Sequence, residues 1–216
     1  MPASTRLLVA SLLVLPTACR HDTEVPPKRE GDTMTITDRC QDVVGAWSPI
    51  VNGLRARLTT SGSKPDGSAL DITLEVENVG SEAVEISWTG VLPLGFASFR
   101  LDDARGTDIE PEWRFGGNAP SGEARALFRA RSTQRYEVHR GAFVTMTGKR
   151  ALRIGAFWGR ELPTDGQKRF LRATLAAGPP HVNAPDHAYE GTAVVLKPPP
   201  ARAFVGPLEV PAVCIE

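Results

Sequence analysis

Aromatic side chains are scarce, at 6% of the 216 residues. That leaves little material for a sugar-stacking cleft, and the four tryptophans, Trp47, Trp88, Trp113 and Trp158, are scattered along the chain as core or rim residues. Net charge is absent: 25 basic residues balance 25 acidic ones, so the whole molecule has no net pull toward nucleic acid or an anionic membrane. Long apolar runs are missing too. Nothing approaches the roughly 20 residues a helix needs to cross a bilayer. After residue 20 almost no stretch keeps an apolar i, i+3, i+4, i+7 stripe for three turns, which argues against a parallel α/β architecture. The hydrolase signatures Gly-x-Ser-x-Gly and His-Glu-x-x-His do not occur.

Punctuation, by contrast, is dense, with 20 glycines and 18 prolines. Many short elements joined by turns follow from that. Hydrophobic residues make up 41%, sufficient for a real core in one domain with appendages.

The N-terminus reads as an export signal. Arg6 precedes an apolar stretch over residues 7–15, which is of signal-peptide length. It runs into Pro16-Thr17-Ala18-Cys19. This segment resembles the lipobox of bacterial lipoproteins, in which a small residue precedes the cysteine that receives the lipid. Ala18 and Thr17 fit the pattern, and Pro16 stands where a leucine is expected, with Leu15 one place earlier. The resemblance implies a signal peptide over 1–18, palmitate-type lipidation of Cys19 and a membrane anchor in the cell envelope. Arg20, rather than Asp, follows the cysteine, which implies the outer membrane, facing the periplasm or the cell surface. An ordinary signal peptide cleaved near Ala18, with Cys19 incidental, is the alternative.

Residues 19–39 contain Pro26-Pro27-Lys28-Arg29-Glu30-Gly31-Asp32 and read as a polar tether. The remainder, 40–216, reads as a single domain. Cys40 and Cys214 sit at its two ends. An exported location favours their pairing, and closing a loop of roughly 175 residues would restrict the unfolded chain by on the order of 5 kcal/mol. Two unpaired thiols are the other possibility.

Within the domain, period-2 alternation recurs. Leu70-Asp71-Ile72-Thr73-Leu74-Glu75-Val76-Glu77 is the clearest strand, with four aliphatics on one face and polar side chains on the other. Val84-Glu85-Ile86-Ser87-Trp88 alternates again beyond Asn78-Val79-Gly80-Ser81, so the two predict an antiparallel pair. Further strands are expected over 54–58, 97–101, 126–130, 135–139, 142–147, 152–157, 170–175, 192–196 and 208–214. Short strands at intervals of about ten residues predict an all-β antiparallel sandwich. The run from Leu54 to Trp88, with its Asn78-Val79-Gly80 strand ending, and the closing Phe204-Val205-Gly206-Pro207-Leu208 resemble immunoglobulin-like domains of bacterial surface proteins.

Candidate chemistry is thin. Ser61-x-x-Lys64 matches the spacing of penicillin-recognising enzymes, but it lies in a Gly- and Pro-rich turn. His181, Asp186 and His187 are metal-donor types gathered in one proline-flanked loop, and form the weak candidate for a metal site. His139 is the remaining histidine of the domain. Asp102, Asp103, Asp108 and Glu110 bracket Gly106, but their order misses the EF-hand pattern and predicts a polar hairpin turn.

Charge is segregated. From Asp66 to Glu112 eleven acids face Arg100 and Arg105. From Ala124 to Arg160 the balance reverses, with Arg125, Arg129, Arg131, Arg135 and Arg140 leading nine cations against Glu137. Neighbouring strands could neutralise one another. Alternatively these arginines form a basic face for an anionic envelope partner. The expectation is a non-catalytic binding or scaffolding module with no cofactor, meeting an envelope protein or glycan, and not nucleic acid. The alternatives are a metal-dependent or hydrolytic enzyme using the His181–His187 loop and an inhibitor or immunity-type protein for one partner enzyme.

Overall fold

The computed structural model describes residues 44–62, 69–89, 94–110, 113–114, 123–140, 151–154, 158–162, 167–178 and 187–215. Among these there is no helix. The strands in chain order are β1 Leu54–Gly62, β2 Leu70–Asn78, β3 Val84–Thr89, β4 Ala97–Asp102, β5 Asp108–Ile109, β6 Trp113–Arg114, β7 Glu123–Phe128, β8 Ser132–His139, β9 Ala151–Ile154, β10 Trp158–Glu161, β11 Arg169–Ala176, β12 His187–Glu190, β13 Ala193–Leu196, β14 Arg202–Ala203 and β15 Pro207–Ile215. The class is the all-β sandwich that the alternation predicts.

Among the described residues four sheets build it, in the orders β1-β2-β8, β15-β11-β4-β5, β13-β12-β7-β3-β14 and β6-β10-β9. Most pairings are antiparallel, but β12 runs parallel to β7 and β14 parallel to β3. Period-2 alternation explains the layering. In β1, Leu54, Ala56 and Leu58 are fully buried while Arg55 and Arg57 face outward. In β2 Ile72, Leu74 and Val76, and in β3 Val84, Ile86 and Trp88, point into the same core. Leu171 and Leu175 from β11 and Leu208 and Val210 from β15 join them. Burying each large aliphatic contributes about 1.5–3 kcal/mol relative to leaving it in water.

Aromatic rings fill the centre. Phe96 meets Trp88, Phe128 and Tyr136 edge-on, with centroids 5.6, 5.9 and 5.1 Å apart. Such geometry places ring edges on electron-rich faces.

The expected antiparallel pairing of β2 with β3 is not what forms. β2 pairs with β1 and β8, and β3 with β7 and β14. Their apolar faces meet across the core instead of lying side by side. Asn78 directs the crossing: its Oδ1 accepts from Gly80 N at 2.9 Å, an Asx-type turn that carries the chain to the other sheet.

The segment 44–51 lines β1 irregularly, through Gly45 N to Leu58 O, Ser48 N to Ala56 O and a bridge between Val51 and Leu54. Gly45 is required here. A Cβ would lie 2.3 Å from Leu58 O and 2.9 Å from Val213 Cγ1, so only glycine lets β1 and β15 approach across it.

The expected strand over 142–147 lies outside the described residues, as do Cys19, Cys40, His181 and Asp186.

Candidate functional site: the turn-bearing end of the sandwich

Strand registers and one side-chain hydrogen bond bring five turns to one end of the sandwich. Leu54 at the start of β1 pairs with Asn78 at the end of β2, and Asn78 with Ser132 at the start of β8. Val84 at the start of β3 pairs with Phe128 at the end of β7 and with Arg202 of β14. The parallel pairing of Tyr189 with Ala126 sets the end of β12 beside the end of β7. The turns before β1, between β2 and β3, between β7 and β8, and between β12 and β13 therefore share this end, and the bond from Asn52 Nδ2 to Val205 O brings the turn between β14 and β15 to it. Positive φ angles concentrate in four of them, at Asn52 (49°), Gly53 (81°), Arg131 (55°), Gly191 (61°) and Gly206 (90°).

Two buried amides tie the turns together. Asn78 is fully buried. Its Nδ2 donates to Glu82 O at 2.8 Å and to Phe128 O at 2.9 Å, joining the β2–β3 turn to the end of β7. Val79 N donates to Gly53 O at 2.9 Å, which adds the turn before β1. Gln134, also buried, accepts at Oε1 from Gly191 N (2.9 Å) and from the Tyr136 hydroxyl, and its Nε2 donates to Leu127 O at 2.6 Å. Burial pushes the Tyr136 phenol well above its ordinary value, although the Gly191 N–H acts the other way. The last turn is clamped from outside: Asn52 Nδ2 donates to Val205 O at 2.5 Å, and Arg202 Nη2 to Asn52 O at 2.6 Å.

Asn52-Gly53 is a two-residue hairpin loop, with Val51 and Leu54 exchanging both backbone hydrogen bonds. Positive φ at both central residues is the requirement of a type I′ turn, and Asn-Gly is the pair that meets it at least strain. This dipeptide is the signal in the sequence that points to the site.

The charge inventory is divided. Arg129 Nε donates to both carboxylate oxygens of Glu190 (2.8 and 2.9 Å). Arg131 is exposed and Arg202 donates to a backbone carbonyl; neither has an ion pair among the described residues. Glu82 and Ser81 are exposed at the same end. Two aliphatic side chains also face solvent there, Ile50 at 58% and Val205 at 66% exposure.

The five arginines proposed as one basic face do not share a face. Arg125 stands on β7 and is paired with Glu85 at 3.3 Å, its side chain only 13% exposed. Arg129 and Arg131 occupy the β7–β8 turn. Arg135 is on β8, in the other sheet, 2.8 Å from Glu75, and Arg140 follows that strand, 3.7 Å from Glu137. The chain crosses between sheets after β7, which separates Arg125 from Arg135. Acidic residues of β2, β3 and β12 answer most of these cations, as neighbouring strands of opposite charge allow.

The outer face of β1-β2-β8 is a charge ladder. Arg55 meets Glu77 at 2.7 Å, Arg57 meets Glu75 at 2.6 Å, and Glu75 also holds Arg135. Trp47 covers both β1 guanidiniums, 4.6 and 4.4 Å from its ring centroid, a cation–π arrangement. On β4 and β11, buried Asp102 accepts from Arg100 and Arg172. Burial raises its pKa, but the two guanidiniums outweigh that and hold it below the ordinary aspartate value. Asp103 caps the following turn through Thr107 N and Arg105 N, both at 2.8 Å, the polar hairpin expected there.

His187 is not in a loop but on β12, its ring edge-on to Tyr189 at 5.6 Å. Among the described residues no group of three or more His, Cys, Asp or Glu side chains is arranged to hold a metal. His139 is buried at the end of β8. Cys214 lies half-buried on β15. No described helix is long and apolar enough to cross a membrane. No known family, curated protein or solved structure matches the chain.

Proposed function

We propose that the chain is a lipid-anchored protein of a bacterial cell envelope, and that its domain is a non-catalytic binding module that meets its partner with the turn-bearing end. The observation that carries this reading is the joining of the turns through buried Asn78 and Gln134. A surface whose loops are already ordered loses little conformational entropy on binding, so more of its contact energy appears as affinity. Loops positioned by a rigid scaffold are also where sandwiches carry recognition. Apart from Asn52, whose positive φ the hairpin turn itself calls for, one non-glycine residue there, Arg131, holds positive φ, a strain that surrounding bonds must offset and that clusters at functional positions.

The lipobox-like Pro16-Thr17-Ala18-Cys19 supports lipidation of Cys19 and an envelope location, with Arg20 favouring the outer membrane. A disulfide between Cys40 and Cys214 belongs to the same proposal, since an oxidising compartment favours it.

Two experiments separate the parts of the proposal. Cells fed labelled palmitate are expected to label the wild-type chain and not the Cys19→Ser variant; an unlabelled wild type removes the anchor. A photo-crosslinking side chain at Val205, and in a separate variant at Arg135 on the sheet face, reports where the partner lies in intact cells. Adducts from position 205 alone are expected. Adducts from 135 alone, or from neither, refute binding through the turns.

A further inference from the structure

We infer that the turn-bearing end docks on an anionic phospholipid surface, with Ile50 and Val205 entering the headgroup layer and Arg131 and Arg202 meeting its phosphates. This deepens the binding-module reading and rests on it. The two aliphatic side chains stand 58% and 66% exposed on adjoining turns that the fold holds together, through Asn52 Nδ2 to Val205 O and Arg202 Nη2 to Asn52 O. A positive φ in each turn, at Asn52 and Gly206, keeps them in that shape. Water offers no return for presenting two β-branched side chains on braced turns, whereas an acyl boundary does.

Charge agrees. Arg55 and Arg129 are neutralised by Glu77 and Glu190. What remains at this end among the described residues is Arg131 and Arg202 against Glu82, a surplus of one cation. Cations beside an apolar tip suit a phosphate-bearing surface. A protein partner fits less well, because interface anchors are enriched in Trp and Tyr and depleted in Val.

Reach is sufficient. Residues 20–43 separate the proposed anchor at Cys19 from Val44, and extended they span at most about 80 Å. Val44 enters beside Thr59, about 17 Å along β1 from the turn. An anchor in the same bilayer would make docking an intramolecular event, so that modest intrinsic affinity is enough.

The test uses the chain from residue 19 onward with Cys19→Ser, so that no acyl chain contributes, floated with vesicles. Binding to mixed phosphatidylcholine–phosphatidylglycerol vesicles is expected, weaker on pure phosphatidylcholine and weakened by salt. The Ile50→Ser, Val205→Ser double variant is expected to lower partitioning about tenfold, and Arg131→Ser about fivefold. Should the double variant fail to fold, Val205→Trp keeps the question answerable: tighter partitioning and blue-shifted emission are expected, more with the mixed vesicles than with pure phosphatidylcholine. Absence of flotation, or flotation indifferent to all these substitutions, overturns the proposal. A melting shift with soluble glycerol phosphate and no vesicle binding also overturns it, in favour of a small-anion site. Protein adducts from position 205 without vesicle binding overturn membrane docking but leave the binding module standing. Loss of the palmitate label removes the anchor without touching the flotation result.

Discussion

At the turn-bearing end Asn78 joins the β2–β3 turn to the end of β7. Its amide serves two carbonyls and one N–H from inside the protein. Asn78→Ala would leave Glu82 O, Phe128 O and Gly80 N short of partners in a buried site. A loss of about 3 kcal/mol is expected from denaturant unfolding, and a loss under about 1 kcal/mol would show that water replaces the amide. Backbone shape decides the outcome at Asn52. Asn52→Gly keeps the turn and loses only the bond to Val205 O, whereas Asn52→Val forces a β-branched residue to φ near 49°. The valine variant is expected to melt several degrees below the glycine variant; equal melting points would mean that the turn relaxes freely. Gly45→Ala places a Cβ against Leu58 O and Val213, and about 1–3 kcal/mol of destabilisation follows from overpacking at that crossing.

At the scale of elements, β1, β2 and β8 are held as much by their outer ladder as by their inner faces. Glu75, its side chain 7% exposed, faces Arg57 and Arg135 at once. Glu75→Gln is expected to cost about 1–2 kcal/mol, less than for a fully buried pair because Arg135 remains 74% exposed. A double-mutant cycle with Arg57→Gln measures the coupling, and zero coupling would make the ladder ornamental. The long strands were legible in the sequence because alternation over seven or more residues, as in Leu70–Asn78, names both the element and its buried face. Alternation does not name a neighbour, which is why β2 and β3 read as a hairpin when they face each other across the core. Two-residue strands such as β5 and β14 are too short for a period to register, whereas the four-residue β9 and β13 fall at the expected 152–157 and 192–196. His187 reads as part of a loop because Pro179, Pro180 and Pro185 crowd the residues before β12. The turn-bearing end was visible only as unconnected fragments, Asn52-Gly53, Gly191 and Gly206. Their convergence depends on registers that no local pattern encodes.

Across the whole molecule, opposite charges concentrated in successive stretches of sequence meet in the fold, so the zero net charge reflects local pairing as well as overall balance. Acid should reveal it. Asp102 and Asp103 both titrate below the ordinary 3.8 in the folded state. Their stabilisation is complete above 3.8 and fades as pH falls through the lower folded values, because the unfolded chain takes up those protons first. At the alkaline end, Tyr136 stays neutral in the fold above its ordinary 10.0, so stability should decline above pH 10 as the unfolded chain ionises. Melting followed across both limits checks each sign, and a flat acid limb would contradict the role given to the two aspartates.

The central claim, that the turns before β1 and before β15 form the contact surface, is tested most directly by hydroxyl-radical footprinting of the full chain, free and bound to envelope membranes. The exposed aliphatics Val44, Ile50, Leu196 and Val205 supply both probe and control. Protection of Ile50 and Val205, with Val44 and Leu196 still oxidised, is the predicted result. Protection of Val44 or Leu196 instead, or equal oxidation of all four in both states, would contradict it.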